Sequence, residues 1–266
     1  MENFREKLNG YKRIVVKVGT TSLTYDNGRM NFKKIENLAW VLTDLKNSGK
    51  EVILVSSGAI AVGADRLGLS ERPRDIVGKQ AASAVGQTVL MQIYQKFFME
   101  YNQKIAQVLV TKNVFDKDIK LRNARNTMEE LLKLGVIPIV NENDTVATEE
   151  LNEFSDNDTL SAYVAKAIDS DLLIILSDID AMYDCDPNKN PNAKVISTVC
   201  GVDDKIYSIA GDSNTSLGTG GMITKVKAAK LVNDAGIDMI IASGENPEII
   251  FDIMNGKETG TLFVAQ

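Results

Sequence analysis

Two lysines, two clusters of acids and amides, and a complete lack of histidine bound the chemistry open to this 266-residue chain. Lys17 lies near the end of the apolar, β-branched run 13–18 and is followed by Gly19-Thr20-Thr21-Ser22. Lys225 closes the stretch Leu217-Gly218-Thr219-Gly220-Gly221-Met222-Ile223-Thr224-Lys225. Without histidine there is no Ser-His-Asp triad, no Cys-His pair and no histidine-ligated zinc. What remains suits phosphoryl transfer, in which positioning and charge neutralisation dominate over proton abstraction.

The glycines of 218–221 permit close backbone approach and positive φ. Met222, Val226, Ala229, Val232 and Ala235 then repeat at helical spacing, so the glycines stand where a helix begins. A helix N-terminus offers free N–H groups and partial positive charge to a phosphate. The plain alternative is a flexible connector, and the stretch lacks the Gly-Lys-Ser/Thr succession of a P-loop. Ser56-Ser57-Gly58-Ala59 forms a second small-residue turn from strand into helix; tight helix–strand packing would explain it as well. Asn141-Glu142-Asn143-Asp144 and Phe154-Ser155-Asp156-Asn157-Asp158 are the richest polar blocks. Together their carboxylates and amides can hold an amino acid's ammonium and carboxylate. Asp144 is the anion placed for the ammonium, and Asn157 is expected to give its amide to the α-carboxylate or to help frame backbone N–H groups. A solvated acidic loop with Asp156 or Asn157 capping the next helix is the ordinary alternative.

The elements that must carry these residues alternate. Strands are predicted over 13–18, 51–55, 104–111, 136–140, 171–176, 237–242 and 261–264. Helices are predicted over 31–48, 75–101, 119–134, 203–209, 247–254 and from 222 onward. Asn27-Gly28 marks a turn. Pro138 is awkward in a central strand and suggests a bulge or an unpaired N–H. Strand–helix alternation without a linker or repeat implies one α/β domain, an open sheet with helices on both faces. Ligands of such sheets bind beyond the carboxyl ends of the strands, where Lys17 stands.

The bulk numbers exclude other classes. The chain is 44% hydrophobic with 25% charged residues, and its net charge of −6 disfavours nucleic-acid binding. No apolar run is long enough to span a membrane, and the N-terminus lacks the apolar core of a signal peptide. Cys185 and Cys200 stand without CxxC spacing, so a cytoplasmic, reduced protein is expected.

Taken together, Lys17-Val18-Gly19, Ser56-Ser57-Gly58-Ala59-Ile60, Asn141-Glu142-Asn143-Asp144, Asp156-Asn157-Asp158 and 210–225 resemble the amino acid kinase superfamily, and within it the glutamate 5-kinases. The resemblance covers about residues 10–265. It implies an open, mostly parallel sheet of about eight strands between helices. It also implies transfer of the ATP γ-phosphoryl group to the side-chain carboxylate of L-glutamate, with Mg²⁺ and in proline biosynthesis. By the same resemblance Lys17 and Lys225 stabilise the transferring group and Asp158 orients them. Ser57, Asp144, Asn157 and Asn141 bind glutamate. Lys17, Ser177, Asp178, Thr219, Gly220, Gly221, Met222, Ile223, Thr224 and Lys225 bind ATP. Glutamate sits over the N-terminal half and ATP over the C-terminal half of a single domain, 1–266, without the PUA domain many members carry. Proline as feedback inhibitor and a homo-oligomer are further implications, and no metal ligand is assigned. The sequence departs from the pattern at Ser155, where glycine is expected, and at Ala181-Met182, which replace Gly-Leu. A kinase for another acidic amino acid or N-acetylglutamate, or a non-catalytic amino-acid and nucleotide sensor, are the competing readings.

Overall fold

The computed structural model describes residues 4–25, 28–146, 156–187, 189–212 and 221–265. The sheet has eight strands: β1 (Arg13–Val18), β2 (Glu51–Ser56), β3 (Ile105–Val110), β4 (Ile137–Glu142), β5 (Leu172–Ser177), β6 (Thr198–Cys200), β7 (Asp238–Ser243) and β8 (Thr261–Val264). Their order is β3-β4-β2-β1-β5-β7-β8-β6. Every pairing is parallel except β7 with β8. The helices are α1 (Phe32–Asn47), α2 (Ala59–Arg66), α3 (Ile76–Glu100), α4 (Lys112–Phe115), α5 (Asp118–Lys133), α6 (Asn157–Ala167), α7 (Asp204–Asp212), α8 (Met222–Asn233) and α9 (Ile249–Met254).

Burial on both faces explains why the central strands read as continuous apolar runs. Alternation splits each strand between two cores. Ile14, Val16 and Val18 of β1 join the core with residues of α1, α3 and α9, while Val15 joins the core with those of α5, α6 and α8. Lys17 shares Val15's side of the strand, so α6 and α8 cover it.

β1 lies between β2 and β5. The chain builds outward from β1 through β2 on one side, then returns to lay β5 on the other. That reversal is the topological switch point, where a crevice opens beyond the strand ends. Val18, Ser56 and Leu176 pair in register there, with Ser177 next in β5.

Three expectations change. Pro138 makes no bulge: the β3–β4 register runs evenly through Ala106 and Pro138. Ile137 donates to Lys104 on the β3 side, so Pro138 turns its missing N–H towards β2. The β2 ladder is registered only from Ile139 onward, as the missing donor at Pro138 requires. Helix α4 and strand β6 are additional elements, both too short to show a period. Helix α7 continues through Ala210, Gly211 and Asp212, expected to belong to the loop before the glycines. The turn residues Asp26 and Asn27 lie outside the described residues, though Tyr25 and Arg29 close it by a backbone hydrogen bond.

Candidate active site

Three elements bring three charges together. β1 supplies Lys17, the first turn of α6 supplies Asp158 and the first turn of α8 supplies Lys225. Asp158 is fully buried, and Lys17 and Lys225 are 7% and 2% exposed. Lys17 Nζ lies 2.5 Å from Asp158 Oδ1, and Lys225 Nζ 3.1 Å from Oδ2. The Thr224 hydroxyl lies 3.0 Å from Oδ2 and 2.8 Å from the Gly221 carbonyl, and can donate to one at a time. Burial alone would raise the Asp158 pKa. The two lysine cations override it and hold the carboxyl at about 2. The trio therefore carries one net positive charge on fixed side chains at the strand-end crevice. Such an arrangement favours charge that develops during a reaction, because it needs no reorganisation.

Asp156 caps α6, its carboxylate accepting from the Asp158 N–H at 3.1 Å. Burial, and then the neighbouring Asp158 charge, push its pKa up. The capping alternative thus holds for Asp156, while Asp158 enters the ionic trio.

A second cluster lies over β2, β4 and α3. Asn157 Nδ2 donates to Ser56 O (2.8 Å), Ser57 Oγ (2.7 Å) and Asn141 Oδ1 (3.2 Å). The amide expected to serve a substrate carboxylate is thus committed to the protein. Asn141, at the carboxyl end of β4, donates from Nδ2 to Gln87 Oε1 at 2.9 Å. Asp144 lies in the following 3₁₀ turn and accepts from Ser83 Oγ at 2.5 Å. Burial pushes the Asp144 pKa up, and the Ser83 hydrogen bond opposes this. Ser57 stands just before Gly58, whose φ of +99° lets the chain turn sharply into α2.

The structure also adds residues that motif reading missed. Ser83, Gln87 and Tyr94 of α3 meet Asp144, Asn141 and Ser56 respectively. Ser83 and Gln87 lie one helical turn apart on α3, but other polar residues such as Lys79, Gln80, Gln92 and Gln95 stand in the same helix, so nothing in the sequence singled them out. Glu142, last in β4, is 7% exposed, and burial followed by the Asp144 charge lifts its pKa to about 7.

At the glycine stretch, Gly221 is the N-cap of α8 and Met222, Ile223, Thr224 and Lys225 open the helix. The Met222 side chain is buried in the core, so its backbone N–H is what it can offer a phosphate. Ser177 ends β5 and its hydroxyl donates to Asp178 at 2.9 Å. Ser177 and Asp178 thus sit at the carboxyl end of β5, beside β1 in the sheet. Met182, in the segment that departs from the family pattern, is buried and donates its N–H to Thr261. Thr219, Gly220 and Ser155 lie outside the described residues. Among the described residues no group of three histidine, cysteine, aspartate or glutamate side chains is arranged to hold a metal ion.

Comparison with known proteins agrees with this architecture. The model of the amino acid kinase family matches residues 12–243. A glutamate 5-kinase of Clostridium perfringens is 51% identical over 265 residues, covering 98% of both chains. One from Enterococcus faecalis is 50% identical over 263 residues, covering 98% of this chain and 97% of the relative. Among solved structures, a carbamate kinase from Giardia lamblia bound to AMP-PNP superposes with a TM-score of 0.69 at 16% identity, covering 96% of this chain and 99% of that one. A UMP kinase from Bacillus anthracis gives 0.66 at 18% identity, with 96% and 97% coverage. At such identities these two structures speak to the fold, an open α/β sheet between helices. With the sequence relatives half identical over nearly their whole length, the chain belongs to the amino acid kinase family and, within it, to the glutamate 5-kinases.

Proposed function

We propose that this chain transfers the γ-phosphoryl group of ATP to the side-chain carboxylate of L-glutamate, giving L-glutamyl 5-phosphate and ADP at the first step of proline biosynthesis. The observation that carries the reading is the buried Lys17–Asp158–Lys225 trio at the switch point, beside a pocket edge bearing Asp144, Asn157 and Ser57. A glutamate side chain with a pKa of roughly 4.3 is already ionised at neutral pH. No general base is needed, and none of the usual histidine kind exists in the chain. A carboxylate oxygen attacks the γ-phosphorus while the bond to the β–γ bridging oxygen breaks and ADP leaves. The obstacle is repulsion between two anions. Lys17 and Lys225 offset it from opposite sides of the transferring group, and Asp158 keeps both ammoniums aimed.

Glutamate binds over the N-terminal half of the single domain 1–266, with Asp144 on its ammonium. ATP binds over the C-terminal half on the N-terminus of α8, with Thr219, Gly220, Ser177 and Asp178 nearby. Mg²⁺ enters with the nucleotide and neutralises phosphate charge. Phosphates and water would supply most of the ion's shell. Proline shares glutamate's amine and α-carboxylate and competes for its site as a feedback inhibitor. A homo-oligomer in the cytoplasm completes the reading; no described helix is long and apolar enough to cross a membrane.

The test is trapping of the acyl phosphate. Wild-type protein with ATP, Mg²⁺ and hydroxylamine should form a hydroxamate with glutamate, and less with aspartate or N-acetylglutamate. Proline inhibition should be relieved by excess glutamate. ATP consumption with a hydroxylamine-resistant product, or preference for N-acetylglutamate, would overturn the assignment.

A further inference from the structure

Two backbone groups fix the polarity of every amide in the substrate pocket. Ser56 O is a carbonyl and can only accept, so the Asn157 atom 2.8 Å from it is Nδ2. The N–H of Glu142 can only donate, so the Asn141 atom 2.9 Å from it is Oδ1. Asn141 Nδ2 is then the atom facing Gln87, and Gln87 presents Oε1 to it at 2.9 Å. The amide orientations follow from fixed main-chain partners, which removes the usual oxygen–nitrogen ambiguity.

This polarity decides what the pocket offers. The two hydrogens on Asn157 Nδ2 are shared among Ser56 O, Ser57 Oγ and Asn141 Oδ1, so no amide hydrogen remains for a ligand. Asn157 Oδ1 makes no hydrogen bond among the described residues and is an acceptor. Ser57 Oγ already accepts from Asn157, which leaves its own proton to give. An acceptor suits an ammonium and a hydroxyl donor suits a carboxylate.

Gln87 closes the relay from behind. It is 8% exposed and sits one helical turn after Ser83, the partner of Asp144. Between them Gly86 brings α3 against α2: a Cβ on Gly86 would lie 1.8 Å from Ala59 O. This contact is backbone to backbone, so α3 has little freedom to shift relative to the Ser57 turn.

We infer that Gln87 is a positioning residue: by accepting from Asn141 it holds Asn157 so that Asn157 Oδ1 receives the substrate ammonium while Ser57 donates to the α-carboxylate. The inference rests on glutamate being the substrate. It assigns amine recognition to Asn157 together with Asp144, and carboxylate recognition to Ser57.

The test compares glutamate with glutarate, which keeps both carboxylates and lacks the amine. The variants are Gln87→Met, which removes the acceptor at nearly constant size, and Gln87→Glu, which retains one. Thermal melting controls for folding. For Gln87→Met the glutamate KM should rise roughly tenfold, the lower end for losing a hydrogen bond to a charged group, with kcat and the ATP KM within about threefold. The Ki of glutarate as a competitor should move less than about twofold, because glutarate has no ammonium to misplace. Gln87→Glu should restore most of the glutamate affinity. If Gln87→Met does not fold, Asn157→Ala carries the same comparison and should penalise glutamate more than glutarate. Equal penalties on the two ligands, or an unaltered glutamate KM in folded Gln87→Met, would overturn the inference. A wild-type protein without glutamate-dependent turnover would instead refute the substrate reading, before any variant is made.

Discussion

Asp158→Asn isolates what the buried carboxylate does, because it removes one charge and almost no volume. Asp158 has a pKa of about 2 in the folded chain against an ordinary 3.8. Burial alone would raise it, and Lys17 and Lys225 reverse that. A group depressed on folding stabilises the fold above its unfolded value, and the contribution fades as pH falls towards the folded one. At neutral pH this gap corresponds to on the order of 2 kcal/mol. The substitution also leaves two buried ammoniums, 7% and 2% exposed, without their anion. Breaking a buried ion pair by removing one partner typically costs about 3–5 kcal/mol. Domains are stable by only about 5–15 kcal/mol, so Asp158→Asn should fold marginally. An asparagine oxygen can also accept from only one side without its NH₂ facing the other lysine. One ammonium then loses its aim, and kcat should fall by roughly 10²-fold or more, the scale for one preorganised charge stabiliser. Urea unfolding at pH 7 and hydroxamate kinetics, with ATP present to favour the folded state, measure the two effects. The stability gap to wild type should shrink below about pH 4 as Asp158 protonates. A variant of unchanged kcat, or a gap that does not shrink with acid, would refute the view that Asp158 acts as the charged clamp of both lysines.

Three further outcomes are expected. Asp144→Ala should raise the glutamate KM by roughly ten- to a hundredfold and leave the ATP KM within a few-fold, since a charged hydrogen bond contributes about 1.5–3 kcal/mol; steady-state kinetics with circular dichroism as a control decide it. Gly86→Ala must drive a methyl towards Ala59 O, 1.8 Å from the ideal Cβ, and separate α3 from α2. It should destabilise by about 1–3 kcal/mol or more and raise the glutamate KM, so a normal melting temperature would refute the close packing. Glu142 is raised on folding to about 7 by burial and by Asp144, so its ionisation works against the fold as pH rises from its ordinary 4.5 through about 7. Glu142→Gln should therefore melt higher than wild type at pH 8 and much like it at pH 5, in the absence of ligands.

The fold was largely legible in the chain because a sheet buried on both faces forces continuous β-branched runs, as in β1, β2 and β5, separated by amphipathic helices such as α1. Short elements escaped: α4 and β6 have too few residues to display a period, and β6 exists because β8 pairs with it. Pro138 shows how context decides, since its effect depended on which neighbour its nitrogen faced and where that ladder began.

At the site, the amino-acid types already determined the chemistry: lysines and carboxylates without histidine, small-residue turns after strands, and amides next to acids. Residue identity is enough for that, because ionisation and hydrogen-bonding capacity are properties of the side chain itself. Tertiary structure decided which of these groups met. Lys17, Asp158 and Lys225 are far apart in sequence and join only where β1, α6 and α8 converge. It also decided direction: Asn157 can donate or accept, and the Ser56 carbonyl beside it selects which of its two atoms faces inward. A sequence records that an amide is present, whereas its polarity is set by neighbours that only folding supplies.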